Sequence, residues 1–306
     1  MQITQEIKSK IVSALLDDLK MRQKSDSGYK EAQHANYLSI HTAQYSRIKR
    51  GDLEKVLSES EWVRIAKKLF VDLSDHRWNN AKTVVLNFIT SQLEFCQERS
   101  TCGLCCDLVG IGKTHAAQLY AASRQNVVYV KCFPGITRAE LIRFMAECLG
   151  LSSDGTVARV RRSVVAELRR LKTPIVILDD GGYLNDNSWM EVKGLLDDVE
   201  FVCGWYVIGD TSLQKKIQRL LAKDKDGWQA LFDRFGRKFQ TITHQFGSDA
   251  EVAIMRRADA DRILKANIPN ITPELRTTIL NTAGTSLRVL RREITKHKYL
   301  KPEEVA

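Results

Sequence analysis

Residues 107–114 read Asp-Leu-Val-Gly-Ile-Gly-Lys-Thr. The apolar run 103–106 before them favours a β-strand, and residues 115–124 after them favour a helix. The two glycines let the backbone curl so that its N–H groups point inward, and the start of the helix adds partial positive charge. A strand, a glycine-rich loop and a helix in this order predict a phosphate-binding loop in an α/β fold.

The residue types in this loop suit the triphosphate of ATP. Lys113 is expected to reach the β- and γ-phosphates, and the Thr114 hydroxyl is expected to bind Mg²⁺. Asp107 departs from the usual pattern, which has glycine at the first position. A carboxylate close to a triphosphate is unfavourable unless it points away. The remaining predicted nucleotide contacts are Val109, Gly110, Ile111, Gly112 and His115.

A second acidic motif lies downstream, where the apolar run 175–178 ends in Asp179 and Asp180. It looks like a Walker B motif, in which Asp179 holds Mg²⁺ through water. Asp180 stands where the catalytic acidic residue usually lies, a position commonly occupied by glutamate. Because aspartate is one methylene shorter, we expect slow hydrolysis. A solvated pair of aspartates at a strand end is the alternative.

The run of elements predicts the fold class. Strands are expected at 103–106, 127–130, 175–178, 201–208 and 239–243, and helical patterns separate them. Alternating strands and helices imply a parallel sheet. After Gly247 the chain reads as helical, with a capping box at Ser248 and Glu251 and a helix start at Pro273.

Three further polar positions fit a nucleotide site, although a surface role explains each one equally well. Asp210 follows a strand and could sense the γ-phosphate. Arg234, or Arg237 in its place, could act as an arginine finger across a subunit interface. Arg288 opens a late helix and could reach back to the nucleotide.

The N-terminal region reads differently, as a helix over 4–20 followed by short helical segments. Residues 32–52 resemble the helix-turn-helix of the Cro/repressor group, with Ala35 at the helix crossing and Ser39 in a turn that usually carries glycine. A helical hairpin used only for packing is the alternative. The face predicted to meet DNA comprises Thr42, Ala43, Gln44, Ser46 and Arg47 for bases, and Lys49 and Arg50 for phosphates.

Composition sets outer limits on partners and location. The formal net charge of +10 favours polyanions, with nucleic acid first and acidic membranes second. No apolar run approaches the roughly 20 residues that span a bilayer, and the chain opens without the h-region of a secretory signal. We therefore expect a cytoplasmic protein with no membrane partner. Cys102 and Cys105 have metal-site spacing, but no second pair follows, so a strand is the better interpretation.

These motifs together resemble a family. Their order is similar to that of the AAA+ transposition regulators, the group that includes the phage Mu B protein and, less closely, TnsC and IstB. The resemblance implies a P-loop AAA+ parallel sheet with a helical lid, preceded by a small all-α helix-turn-helix domain. The expected ranges are 1–75 for that domain, 76–100 for a connector helix, 101–246 for the ATPase core and 247–306 for the lid.

The resemblance also implies a function. Such proteins bind ATP between subunits, assemble as filaments or rings on double-stranded DNA and deliver target DNA to a transposase. By position it gives Asp179 the Mg²⁺ role, Asp180 the catalytic role, Arg234 the finger and Arg288 the second sensor. It also places DNA contacts around 131–138. Two alternatives remain: a helicase loader, and a DNA-binding transcription regulator that only senses nucleotide.

Overall fold

The computed structural model describes residues 4–71, 73 and 78–299. Its sheet has four parallel strands in the order β1-β4-β3-β2. Helices connect the strands, as parallel pairing requires, so the predicted α/β fold with a parallel sheet is confirmed. The strands are β1 Cys102–Cys106, β2 Val127–Lys131, β3 Ile175–Asp179 and β4 Gly204–Gly209.

The first four helices share an apolar core of their own. The first extends past the predicted end at residue 20. Ser39 adopts a left-handed φ of +55°, and its amide bonds to the Asn36 carbonyl, which closes the second helix. The predicted turn between two short helices is therefore present, whereas its assignment as a DNA-binding motif stays a prediction. The helices are α1 Gln5–Ser25, α2 Glu31–Tyr37, α3 Thr42–Lys49 and α4 Glu59–Lys68.

The sheet is buried on both faces, which explains why its strands are continuous apolar runs. On β3, Ile175 and Ile177 face one layer of helices, while Val176 and Leu178 face the other. The first layer contains α5 Val84–Arg99 and α6 Lys113–Ser123. The second layer contains α7 Arg138–Cys148, α8 Val157–Arg170, α9 Asp186–Asp198, α10 Thr211–Ala222 and α11 Trp228–Arg234.

Two strand predictions need correction. The strand predicted over 201–208 begins at Gly204, because Phe201 lies in a turn with a φ of +64° and is 84% exposed. The strand predicted over 239–243 shrinks to a single bridge between Gln240 and Cys105. Its next amides turn toward the carboxylate of Asp107 and leave the ladder.

The described chain ends in three helices with a separate apolar core: α12 Asp249–Asn267, α13 Pro273–Ala283 and α14 Leu287–Tyr299. Asp259 of α12 is buried and accepts the Val84 amide at 3.0 Å on each carboxylate oxygen. This bond joins α12 to the start of α5. The boundary predicted between residues 75 and 76 lies outside the described residues. Within those residues, no helix combines the length and apolar character that crossing a bilayer requires.

Candidate nucleotide-binding site

The loop between β1 and α6 has the backbone shape that phosphate binding needs. Gly110 and Gly112 have φ values of +74° and +105°, which L side chains rarely adopt. Gly112 also caps α6 without a side-chain acceptor. The amides of residues 109–112 donate to no acceptor among the residues that the structure describes. The loop therefore presents free N–H groups at the positive end of a helix.

Asp107 points away from this loop. Its Oδ2 accepts the amides of Ile242 and Thr243 at 2.5 and 2.8 Å, and its Oδ1 accepts the Thr243 hydroxyl at 2.7 Å and the Leu108 amide at 2.7 Å. The side chain is buried. Hydrogen-bond donors thus stabilise the carboxylate that stands where glycine is usual. The same bonds anchor the segment after the sheet to the loop.

Lys113 bonds back to its own loop. Its Nζ donates to the carbonyl oxygens of Asp107 and Leu108 at 2.8 and 2.7 Å. Burial lowers the pKa of this lysine, although nearby acidic groups oppose the shift. The ammonium is therefore held at the loop by weak neutral acceptors, which phosphate oxygens can replace with stronger charge-assisted bonds.

Thr114 and Asp179 meet as predicted for a metal site. The Thr114 hydroxyl donates to Asp179 Oδ1 at 3.3 Å, across the edge where β1 and β3 end. One hydroxyl and one carboxylate suit Mg²⁺, which takes its remaining ligands from phosphate oxygens and water. These residues fit the ion, which would supply charge neutralisation at the β- and γ-phosphates.

Two residues that the sequence did not assign to this site also contact the acidic pair. Lys131 Nζ lies 2.8 Å from Asp179 Oδ2 and 2.5 Å from Asp180 Oδ2. The Tyr129 hydroxyl donates to Asp179 Oδ2 at 2.7 Å. Partial burial alone would lower the pKa of Lys131, but its bonds to both aspartates raise it above the usual value. In the register of β2 against β3, Lys131 lies opposite Asp179. This contact therefore depends on which strands pair and could not be read from the sequence.

We expect replacement of Lys131 by methionine to lower the Mg²⁺ concentration needed for nucleotide binding by about fivefold. The ammonium competes with a divalent cation for Asp179, and an ion pair with a half-exposed partner is worth up to about 1 kcal/mol. Titration of Mg²⁺ against a fluorescent ATP analogue measures the change, with exposed Lys172 replaced by methionine as the control. A higher Mg²⁺ requirement would mean instead that Lys131 holds the carboxylates in the productive position.

Asp210 and His115 lie at the edge of the same site. The Asp210 carboxylate caps α10, where it accepts the amides of Ser212 and Leu213 at 2.9 and 3.2 Å. Burial alone would raise the pKa of Asp210, but these bonds and the charge of Lys113 lower it. His115 pairs through Nε2 with Asn80 Oδ1 at 2.8 Å. Both positions border the loop, and their nucleotide contacts stay predictions.

The two candidate finger arginines are bound within their own chain. Arg234 forms ion pairs with Asp197 at 2.8 Å and with Glu200. Arg237 is the more exposed of the two and pairs with Asp233 at 2.6 Å. A finger role for either arginine requires that these bonds exchange.

Arg288 lies in the first turn of α14 and is exposed. Its guanidinium makes no hydrogen bond or ion pair with the part of the chain that the structure describes. The neighbouring Leu287 lies 3.5 Å from where a Cβ on Gly112 would stand. The structure thus brings the start of α14 to the loop, although it shows no bond from Arg288.

A comparison with protein families gives a match for the central region. Residues 96–217 match the family model described as AAA domain. The match indicates an AAA-type P-loop ATPase domain over this segment, which is less than half of the chain. No curated protein matches the chain. The AAA match begins in α5 and ends in α10, so it includes Lys113, Asp179 and Asp210 but neither Arg234 nor Arg288.

The face of α3 predicted to meet DNA is only partly free. Thr42, Ala43 and Ser46 are exposed. Arg47 pairs with Asp52 at 2.8 Å on the surface. Gln44 is engaged at both ends, because its oxygen accepts the His41 amide and its nitrogen donates to the Val56 carbonyl.

The two residues predicted to meet phosphates also have partners. Lys49 pairs with Glu31, and Arg50 Nε donates to the Ser46 carbonyl at 3.3 Å. Surface bonds of this kind are weak and exchange readily. Among the residues predicted to read bases, Gln44 has a side chain that is held at both ends by backbone hydrogen bonds, to His41 and Val56.

Proposed function

We propose that this protein is an ATP-dependent DNA-binding ATPase that oligomerises on double-stranded DNA and delivers target DNA to a transposase. The contact between Thr114 and Asp179 carries the ATP part of the proposal, because it joins the phosphate loop to the acidic motif at one sheet edge. The DNA part is supported by the exposed face of α3 and the net charge of +10. The transposase part is supported by the order of the motifs.

In this proposal each group at the site has a defined task. The loop amides and Lys113 hold the phosphates, and Thr114 and Asp179 hold Mg²⁺. Asp180 accepts the proton of the attacking water, for which its carboxylate must leave Lys131. Arg234 or Arg237 of a neighbouring subunit stabilises the transition-state charge. Hydrolysis is slow because Asp180 is short and is engaged by the ammonium.

The first test is whether nucleotide controls assembly on DNA. We expect sedimentation with a mixed-sequence duplex to show oligomers with ATP and Mg²⁺ and to show none with ADP. Electron microscopy of the same samples would distinguish filaments from rings. A monomer whose DNA affinity is the same with and without ATP would overturn the proposal. Strong sequence preference without hydrolysis would favour the transcription regulator instead.

The predicted phosphate contact of Arg50 is testable on its own. We expect Arg50→Ala to reduce the slope of log affinity against log salt by about 1, because one fewer counterion is released on binding. Fluorescence anisotropy from 50 to 200 mM salt, a range suited to such slopes, measures the change. Exposed Lys20 on α1 provides the control, and Lys20→Ala should leave the slope unaltered. An unaltered slope for Arg50→Ala would remove α3 from the DNA interface.

A further inference from the structure

Tyr129 makes an unusual contact for a residue on the sheet. Its hydroxyl donates to Oδ2 of Asp179 at 2.7 Å, and that carboxylate is fully buried. The other oxygen, Oδ1, accepts the Thr114 hydroxyl and the Asp180 amide at 3.3 and 3.0 Å. The phenol and the Lys131 ammonium, which donates to Oδ2 at 2.8 Å, fix this oxygen, so that Oδ1 faces the residue that shares the metal site. Tyr129 therefore orients Asp179 without lying next to the phosphate loop.

The other side of the Tyr129 ring faces the N-terminal helices. Phe70 packs edge-on against it, with ring centroids 5.6 Å apart and planes at 78°. Aromatic pairs in this arrangement stabilise by about 0.5–1.5 kcal/mol beyond the area they bury. A residue that follows the last N-terminal helix thus contacts a residue that orients the metal-site carboxylate.

The backbone conformation of Phe70 is further evidence that its ring contact with Tyr129 matters. Phe70 follows α4 with a φ of +54°, and the Val71 amide bonds to the Ala66 carbonyl at 2.8 Å, which closes a Schellman turn. Glycine is the usual residue at this position, and another residue pays about 1–2 kcal/mol to adopt the left-handed conformation. The packing of the ring offsets a conformational cost that glycine would avoid.

The N-terminal helices are also fixed to the ATPase domain by polar contacts. Lys68 of α4 pairs with Glu147 of α7 at 3.5 Å, and Gln125 donates to the Met21 carbonyl of α1 at 2.7 Å. Asp26 pairs with Arg170 of α8 at 2.7 Å. These contacts hold the N-terminal helices in place. Because Phe70 directly follows α4, a shift of these helices would move its ring against Tyr129.

We propose that Phe70 and Tyr129 link the N-terminal helices to the metal site, with Tyr129 as the positioning residue of Asp179. The inference rests on the ATP site of the proposed function. In it, the docked position of the helices holds the Tyr129 ring, the phenol holds Asp179 Oδ2, and Oδ1 is held toward the ion. DNA bound to the N-terminal helices would thereby alter the affinity of the site for Mg²⁺.

The test is Tyr129→Phe, which removes the hydroxyl and keeps the ring. The dissociation constant of a fluorescent ATP analogue is measured by titration in Mg²⁺ and in EDTA, and hydrolysis is followed separately. We expect the Mg²⁺ concentration at half-saturation to rise on the order of 10-fold, as for other residues that orient a metal ligand. Affinity in EDTA should stay within about twofold, because Tyr129 does not touch the loop that holds the phosphates.

Tyr120→Phe is the matched control. Its hydroxyl is buried and donates to Gln97 at 2.5 Å, remote from the acidic pair. It should leave the Mg²⁺ requirement unaltered. An equal loss of affinity in Mg²⁺ and EDTA for Tyr129→Phe would reveal a general structural role and would overturn the inference.

Phe70→Gly tests the link to the N-terminal helices. It deletes the ring while placing glycine where the turn prefers it, so α4 should stay folded. We expect the Mg²⁺ requirement to rise about threefold, a smaller effect than that of Tyr129→Phe because the hydroxyl bond remains. An unaltered Mg²⁺ requirement for Phe70→Gly would disprove the link.

The two levels of proposal fail in different ways. If the wild-type protein bound no nucleotide in either condition, the proposed function would be wrong. If it bound nucleotide more tightly with Mg²⁺, and Tyr129→Phe behaved like wild type, only the positioning role would be wrong.

Discussion

Replacing Lys113 by alanine is expected to weaken ATP binding on the order of 100-fold and to abolish assembly on DNA that depends on ATP. The lysine is expected to place its positive charge against the β- and γ-phosphates. Truncating one partner of a buried hydrogen-bonded charge pair costs about 2–5 kcal/mol of binding free energy, and about 100-fold lies within that range. Titration calorimetry with ATP and Mg²⁺, followed by sedimentation with duplex DNA, measures both effects.

This substitution also removes two bonds inside the loop, which Lys113 donates to the carbonyls of Asp107 and Leu108. The loss of binding must therefore be separated from loss of structure. Thermal unfolding of the variant without nucleotide provides that separation, and exposed Lys215 replaced by alanine controls for a simple change of charge. If Lys113→Ala assembled on DNA with ATP as wild type does, this loop would not be the nucleotide switch.

Much of the ATPase domain was predictable because its signals are local. The phosphate loop needs a strand, two glycines and a helix in sequence, and the acidic motif needs one apolar strand with carboxylates at its end. Four of the five predicted strands lie in the sheet, although one of them starts later than expected. The contact between Thr114 and Asp179 follows from these motifs, because parallel strands bring their carboxyl ends to the same edge.

The remaining features depend on pairing across the chain. Lys131 and Tyr129 reach Asp179 because β2 lies beside β3, and the order of strands cannot be read from periodicity. The Lys131 side chain, expected near DNA with residues up to 138, is held between Asp179 and Asp180, and its DNA contact stays a prediction. Gln44 likewise fits a base-reading pattern by position, but contacts with His41 and Val56 hold it.

Asp107 is the clearest example of a residue whose contacts depend on distant parts of the chain. By sequence it is a misplaced charge next to a triphosphate. In the fold its partners lie 135 and 136 positions further along the chain, at Ile242 and Thr243. The same bonds explain why the fifth predicted strand stops after one bridge, because these amides turn to the carboxylate and leave the sheet.

We therefore expect Asp107→Gly, the change that restores the usual loop sequence, to destabilise the protein by about 2–6 kcal/mol, the range for two buried donors left without an acceptor. The buried amides of Ile242 and Thr243 would lose their acceptor, at about 1–3 kcal/mol for each unsatisfied group. Asp107→Asn should cost less, since its amide keeps one oxygen as an acceptor. Urea unfolding measures the change in unfolding free energy, and exposed Asp226→Asn serves as the control.

ATP binding by Asp107→Gly shows which role Asp107 has: to anchor the segment after the sheet, or to repel the triphosphate at the loop. If the carboxylate repelled the triphosphate, Asp107→Gly would bind ATP more tightly and remain as stable as wild type. If it anchors the segment after the sheet, the variant loses stability, and saturating ATP and Mg²⁺ recover only the part that ligand binding supplies. The distances around Asp107 favour the second outcome, since both of its oxygens already accept hydrogen bonds from Ile242 or Thr243 in the segment after the sheet.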